Sequence, residues 1–101
     1  MSAEHRKEGM IHVERIESAK EPLEFCVIVC EDHSETMHEV TMSESLYKKL
    51  TGGKISPERC IQAAFQFLLD REPKESILSR FDVTAISKYF PSFEQDFHQY
   101  L

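Results

Sequence analysis

The sequence predicts an α+β domain, a three-stranded antiparallel β-meander followed by four or five α-helices, the longest of them central and buried. Three observations carry this. Residues 23–30 (LEFCVIVC) place Leu23, Phe25, Val27 and Val29 on one face and Cys26, Ile28 and Cys30 on the other, the period-two pattern of a strand apolar on both sides. Residues 57–72 (PERCIQAAFQFLLDRE) read as a helix apolar nearly all round, because at about 100° per residue only Arg59, Gln62, Gln66 and Asp70 gather into a narrow polar stripe. Serines, glycines and prolines punctuate the remainder at spacings that start and stop such elements.

In chain order, residues 1–9 form a flexible, charged N-terminus and residues 10–101 a single domain, long enough to bury a core without disulfides or metal. Residues 10–18 make the first strand, with Ile11 and Val13 on one face and Met10, His12 and Ile16 on the other. A turn over 19–22 precedes the central strand over 23–30. A polar turn over 31–35 leads to a third strand over 36–42, where His38, Val40 and Met42 face alike. Ser43 caps a short helix over 44–50, whose negative end carries Lys48 and Lys49 and whose exit is marked by Gly52 and Gly53. Ser56 caps the long helix, Pro57 takes its first position, where a missing N–H is harmless, and Pro73 stops it. A short helix is expected over 74–80 and another over 85–90, capped by Asp82 or Thr84 and ended by Pro91. Ser92 and Gln95 read as a capping box for a last helix over 93–101.

The net charge of −6 is unevenly placed. Residues 1–20 hold four acids and four bases, and residues 46–101 seven acids and eight bases. Between them, residues 21–45 carry seven acids and no Lys or Arg, a surface that repels phosphate and attracts basic partners; Glu31, Asp32, Glu35 and Glu39 are its candidate acidic face. The apolar runs fall short of the ~20 residues of a membrane span. The polar start is unlike a signal peptide, and three cysteines, an odd number, suit reduced thiols in the cytoplasm.

Constellations that would carry chemistry are weak. Cys26 and Cys30 lie four residues apart on a strand, roughly 13 Å, too far for a disulfide. Adding His33 and His38 gives no set that converges on zinc, and Cys60 sits inside the core helix as a small hydrophobe. The five histidines have no catalytic partner at a definable spacing, and Gly52-Gly53-Lys54 lacks the strand and spacing of a phosphate loop. No catalytic, cofactor-binding or metal-binding residue is therefore assigned. The order strand, short helix, glycine turn, long helix over 39–72 resembles the ribbon-helix-helix repressors, which read the major groove as dimers. Here the outward residues would be Glu39, Thr41 and Ser43, inside the block without a base, and an acidic ribbon forfeits phosphate contact. The aromatic residues Phe93, Phe97 and Tyr100, with Leu101, form a stripe on the last helix: packing against the long helix if covered, a partner or homodimer surface if exposed.

The run FQFLLDREPKESIL (65–78), continued by Phe81-Asp82, Ile86 and Tyr89-Phe90-Pro91, resembles the signature of a family of small bacterial proteins to which no function is assigned. The resemblance implies a bacterial, cytoplasmic, single-domain α+β protein and supplies no site residues. Physically the run is a corner: Arg71 and Glu72 end the long helix, Pro73 forces the turn, Ile77, Leu78 and Phe81 fold back on Phe67 and Leu68, and Arg71 pairs with Asp82 or Glu75. The expectation is a non-enzymatic protein-interaction or adaptor protein acting through the acidic face or the aromatic stripe, without cofactor or membrane contact. A dimeric ribbon-helix-helix DNA binder is the alternative.

Overall fold

The computed structural model describes residues 10–18 and 20–101; the charged lead over 1–9 and Ala19 of the expected turn lie outside them. Four strands form one sheet in the order β1 (Met10–Arg15), β2 (Leu23–Glu31), β3 (Ser34–Met42), β4 (Arg80–Asp82). β2 is central to the meander, pairing antiparallel with β1 and β3, as its two apolar faces require. Leu23, Phe25, Val27 and Val29 are buried on one face beside His38, Val40 and Met42 of β3. The hairpin is tighter than the turn expected over 31–35. Only Asp32 and His33 lie outside the strands, both with positive φ (55° and 66°), the two-residue turn whose twist matches the flanking strands.

The fourth strand corrects the three-stranded expectation, and the helix expected over 74–80 is absent. A single 3-10 turn (Lys74–Ser76) is followed by extended chain that runs parallel to β3, with Glu39 opposite Arg80, Val40 opposite Phe81 and Thr41 opposite Asp82. Ile77 is buried and the Ser79 carbonyl accepts the Glu39 N–H at 2.8 Å, so pairing with β3 wins over a helix too short to repay its nucleation. The Arg80 guanidinium meets Glu39 at 2.9 Å and the Thr41 hydroxyl donates to Asp82 at 2.6 Å, fixing the register from the side chains.

The helices of the crossover are α1 (Glu44–Thr51) and α2 (Pro57–Leu69), followed after β4 by α3 (Thr84–Tyr89) and α4 (Phe93–Asp96). Ser43 and Ser56 accept the Leu46 and Arg59 N–H groups, each at 3.1 Å, and Gly52 closes α1 at φ 69°, as expected. α2 ends at Leu69 rather than at residue 72, because the N–H groups of Arg71 and Glu72 both return to the Leu68 carbonyl at 2.9 Å and tighten the exit before Pro73. The capping box of Ser92 and Gln95 does not form: Ser92 Oγ donates instead to Asp96 at 2.9 Å, and α4 is one turn continued by a 3-10 turn (Phe97–Tyr100).

Phe65 and Phe67 organise the layers. Phe65 meets His38 of β3 and Phe81 of β4 at ring distances of 5.3 and 6.0 Å, while Phe67 meets Phe90, Phe93 and Tyr100 at 5.8, 5.0 and 6.0 Å. α2 is thus held between the sheet and the C-terminal turns. The aromatic stripe faces inward, with Phe93 and Phe97 only 1% and 0% exposed, which removes both from any partner surface. Tyr100 is half-buried and Leu101 exposed.

Two outcomes follow from this packing. Truncation after Pro91 deletes two core phenylalanines, each contributing about 3–5 kcal/mol when removed singly, against a total of about 5–15 kcal/mol for a domain. The shortened chain therefore shows no cooperative unfolding transition in urea monitored by circular dichroism. Asp82 gives a pH-dependent contribution: burial alone would raise its pKa, but hydrogen bonds from the Thr41 hydroxyl and from the N–H and hydroxyl of Thr84 outweigh that and hold the carboxyl below its usual range. With the folded value below the unfolded one, the stabilisation is present above the unfolded pKa and fades as pH falls through the folded one. Asp82→Ala, which also removes the acceptor of the Thr84 N–H at the start of α3, costs about 1 kcal/mol at pH 7, and the difference from the parent narrows below pH ~4 in denaturant titrations.

Candidate functional site

The corner between α2 and α3 opens a cleft of about 350 Å³. Leu68, Ile77 and Ile86 are buried at its base, Phe81 and Phe90 wall it, and Leu78 and Tyr89 stand at its mouth, 48% and 68% exposed. The local sequence explains each position. Ile77 turns into the core, so its extended neighbour Leu78 turns out, correcting the expectation that both fold back on α2. The Leu78 carbonyl is held by the Nδ1–H of His38 at 2.7 Å, and the other ring nitrogen faces the Thr36 hydroxyl at 2.8 Å. Ile86 and Tyr89 are one helical turn apart and so share a face of α3. Neither Asp82 nor Thr84 stands at the cap position of that helix, which is Val83, though Asp82 accepts the Thr84 N–H at 3.1 Å.

Among the described residues the cleft has one charged lining group, Glu72. It is half-buried and has no side-chain hydrogen bond or ion pair within the described residues. Burial pushes its carboxyl above the usual range. A carboxylate in an apolar recess without a cation is an unmet electrostatic demand. The arrangement accepts an apolar group that brings its own positive charge.

The remaining candidates have structural partners. Arg71 pairs with neither Asp82 nor Glu75. Its guanidinium stacks 3.7 Å over the Phe67 ring, donates to the Phe67 carbonyl (3.1 Å) and Tyr100 Oη (3.2 Å), and lies 3.5 Å from Asp96. α2 points this side chain toward the C-terminal turns, away from β4. Pro73 sits exposed at the corner. In the acidic face, Asp32 occupies the hairpin turn, Glu35 is exposed, Glu31 is half-buried and Glu39 is taken by Arg80. Lys74 is buried with its ammonium 2.9 Å from Glu75, and that hydrogen bond, with the fields of Glu31 and Asp32, raises its pKa against the effect of burial. The block lacking bases in sequence thus receives Lys74 and Arg80 in space. Cys60 is buried, with its thiol pushed up to about 12 by burial and only partly relieved by Arg59. Cys26 and Cys30 are free and half-buried on the outer sheet face, and no group of three or more His, Cys, Asp or Glu side chains that could hold a metal ion occurs among the described residues. No described helix is long and apolar enough to cross a membrane. The strand that a ribbon-helix-helix protein pairs across its dimer is flanked here by β2 and, over Glu39–Thr41, by β4.

Fold and site together define a small α+β protein with a four-stranded mixed sheet, helices after the meander and an apolar cleft with one charged lining residue among the described residues. Comparison of the chain with protein-family models, with curated proteins and with solved structures finds no significant match.

Glu72 had no local signal beyond its place before Pro73, and the exposure of Leu78 and Tyr89 depends on β4. Because the folded pKa of Glu72 is raised, its ionisation opposes folding: stability is greater below the unfolded pKa and declines as pH rises through the folded one. Glu72→Gln therefore raises Tm at pH 7 and leaves it nearly unchanged at pH 4, measured by thermal melts across that range.

Proposed function

We propose that this chain is a non-enzymatic protein-interaction module, of bacterial and cytoplasmic origin by its resemblance, that docks an apolar side chain flanked by Lys or Arg into the cleft between α2 and α3. The single observation behind this reading is the Glu72 carboxylate, unpaired among the described residues, at an apolar recess whose mouth carries exposed Leu78 and Tyr89. Exposed aromatic and aliphatic groups around a small pocket favour an anchor residue of a partner, since water is expelled from both surfaces on docking. The carboxylate selects a cationic flank and disfavours an acidic one, a preference strengthened by the net charge of −6. Acid-base chemistry would need a second charged group beside Glu72, and the cleft lining offers none among the described residues.

The test uses two 15-residue amphipathic peptides with the same leucine and phenylalanine face, one with lysines and one with glutamates on the polar face. By fluorescence anisotropy the lysine peptide binds at least about tenfold more tightly, equivalent to about 1.4 kcal/mol. Tyr89→Ala and Leu78→Asp abolish binding, Glu72→Gln removes the preference for lysine, and the preference fades as pH falls through the raised Glu72 pKa. Equal binding of both peptides, or binding indifferent to Tyr89 and Leu78, overturns the proposal.

A further inference from the structure

The shortness of β4 leaves part of β3 open. In the hairpin the residues opposite one another alternate in bonding, and the two-residue turn makes Glu31 and Ser34 a bonded pair, as are Val29 with Thr36 and Val27 with His38. The intervening residues Glu35, Met37, Glu39 and Thr41 therefore direct their N–H and C=O groups away from β2. Those of Glu39 and Thr41 are met by the β4 segment, as the bonds from Glu39 N–H to Ser79 and from Val83 N–H to Thr41 show. Those of Glu35 and Met37 have no backbone partner within the described residues. Both residues are exposed, Met37 at 60%, and a depression of about 370 Å³ bounded by Met37, Glu39, Ser79 and Arg80 lies where β4 stops.

We propose that β3 accepts an extended basic peptide segment by strand addition in this notch, through the backbone groups of Glu35 and Met37. An open stretch from Ser34 to Met37 spans about 13 Å, enough for four residues of added strand. Its backbone supplies two donors and two acceptors, the means by which sheet edges capture peptides, while the side chains beside the edge set preference. The open stretch carries one acid without an ion pair among the described residues, Glu35, whereas Glu39 and Arg80 engage one another and Glu31 lies in the field of Lys74. The notch is independent of Glu72 and of the cleft proposal.

The probe is an acetylated, amidated pentapeptide of alternating lysine and valine, titrated at millimolar concentration into the full chain and followed by amide chemical shifts and hydrogen exchange. Saturable shifts over residues 34–38, with slowed exchange of the Glu35 and Met37 amides, are the expected result. The same peptide N-methylated at its valines, and a glutamate-valine peptide, bind at least tenfold more weakly. Met37→Pro removes one outward N–H while leaving the β2 ladder intact, a placement that edge strands tolerate, and abolishes protection at Glu35. Shifts that spread over the acidic hairpin and survive N-methylation mean attraction by charge alone and overturn strand addition. Amides of Glu35 and Met37 already protected in the free protein, with elution as a dimer, mean that a second copy fills the notch and overturn it equally.

Discussion

A helix that carries Phe65 on one side and Phe67 on the other cannot be buried by a single layer, since two residues along a helix are about 200° apart. α2 meets this demand by lying between the sheet, where Phe65 reaches His38 and Phe81, and the C-terminal turns, where Phe67 reaches Phe93 and Tyr100. The rest follows from that constraint. The polar stripe of the helix becomes a latch for the C-terminal layer: Arg59 donates to the Tyr100 carbonyl at 2.8 Å, and Tyr100 Oη donates to Asp70 at 2.5 Å. Cation–π contact of Arg71 with Phe67 closes the same seam. Two of the stripe's four residues, Arg59 and Asp70, are thus occupied in holding the fold together.

What the sequence made legible is local. The alternation of β2, the serine caps of α1 and α2, and the glycine exit of α1 depend on residues within a few positions of one another, and the structure places them as expected. β4 was not legible, because three residues are too few to show alternation and their pairing partner is about forty positions away. The same distance hides the site. Leu78 reads as one more apolar residue of a helical corner until the His38 ring bonds its carbonyl and Ile77 takes the inward place. Arg71 could be assigned a carboxylate partner from charge alone, but which one depends on the direction in which α2 presents it. The acidic block likewise looks uncompensated only along the chain, since Lys74 and Arg80 reach it from the far end of the crossover.

The LLDREPKESIL stretch has a physical role that its resemblance to other sequences does not supply. Leu68, Glu72, Ser76, Ile77 and Leu78 from this stretch all line the cleft. Four of them can be explained by packing or by the turn after Pro73. Glu72 cannot, because glutamine would fit the same space without opposing folding through its charge. Groups that folding alone would not favour are where binding function is sought, and a partner cation would convert the unfavourable charge into affinity.

The length of β4 links the two surfaces. In the register that sets Glu39 opposite Arg80, a strand extended toward its N-terminus would set Met37 opposite Leu78 and Glu35 opposite Ser76. Such a strand would satisfy the free edge of β3, and it would also draw Leu78 onto the outer sheet face, away from the mouth of the cleft. Instead the backbone ladder ends at Ser79, and the Leu78 carbonyl, which this register turns away from the β3 backbone, is taken by the buried His38 ring. The imidazole thus satisfies a carbonyl that strand pairing with β3 would not reach. Leu78, fixed by that bond, lies between the notch beside Met37 and Ser79 and the cleft whose mouth it shares with Tyr89.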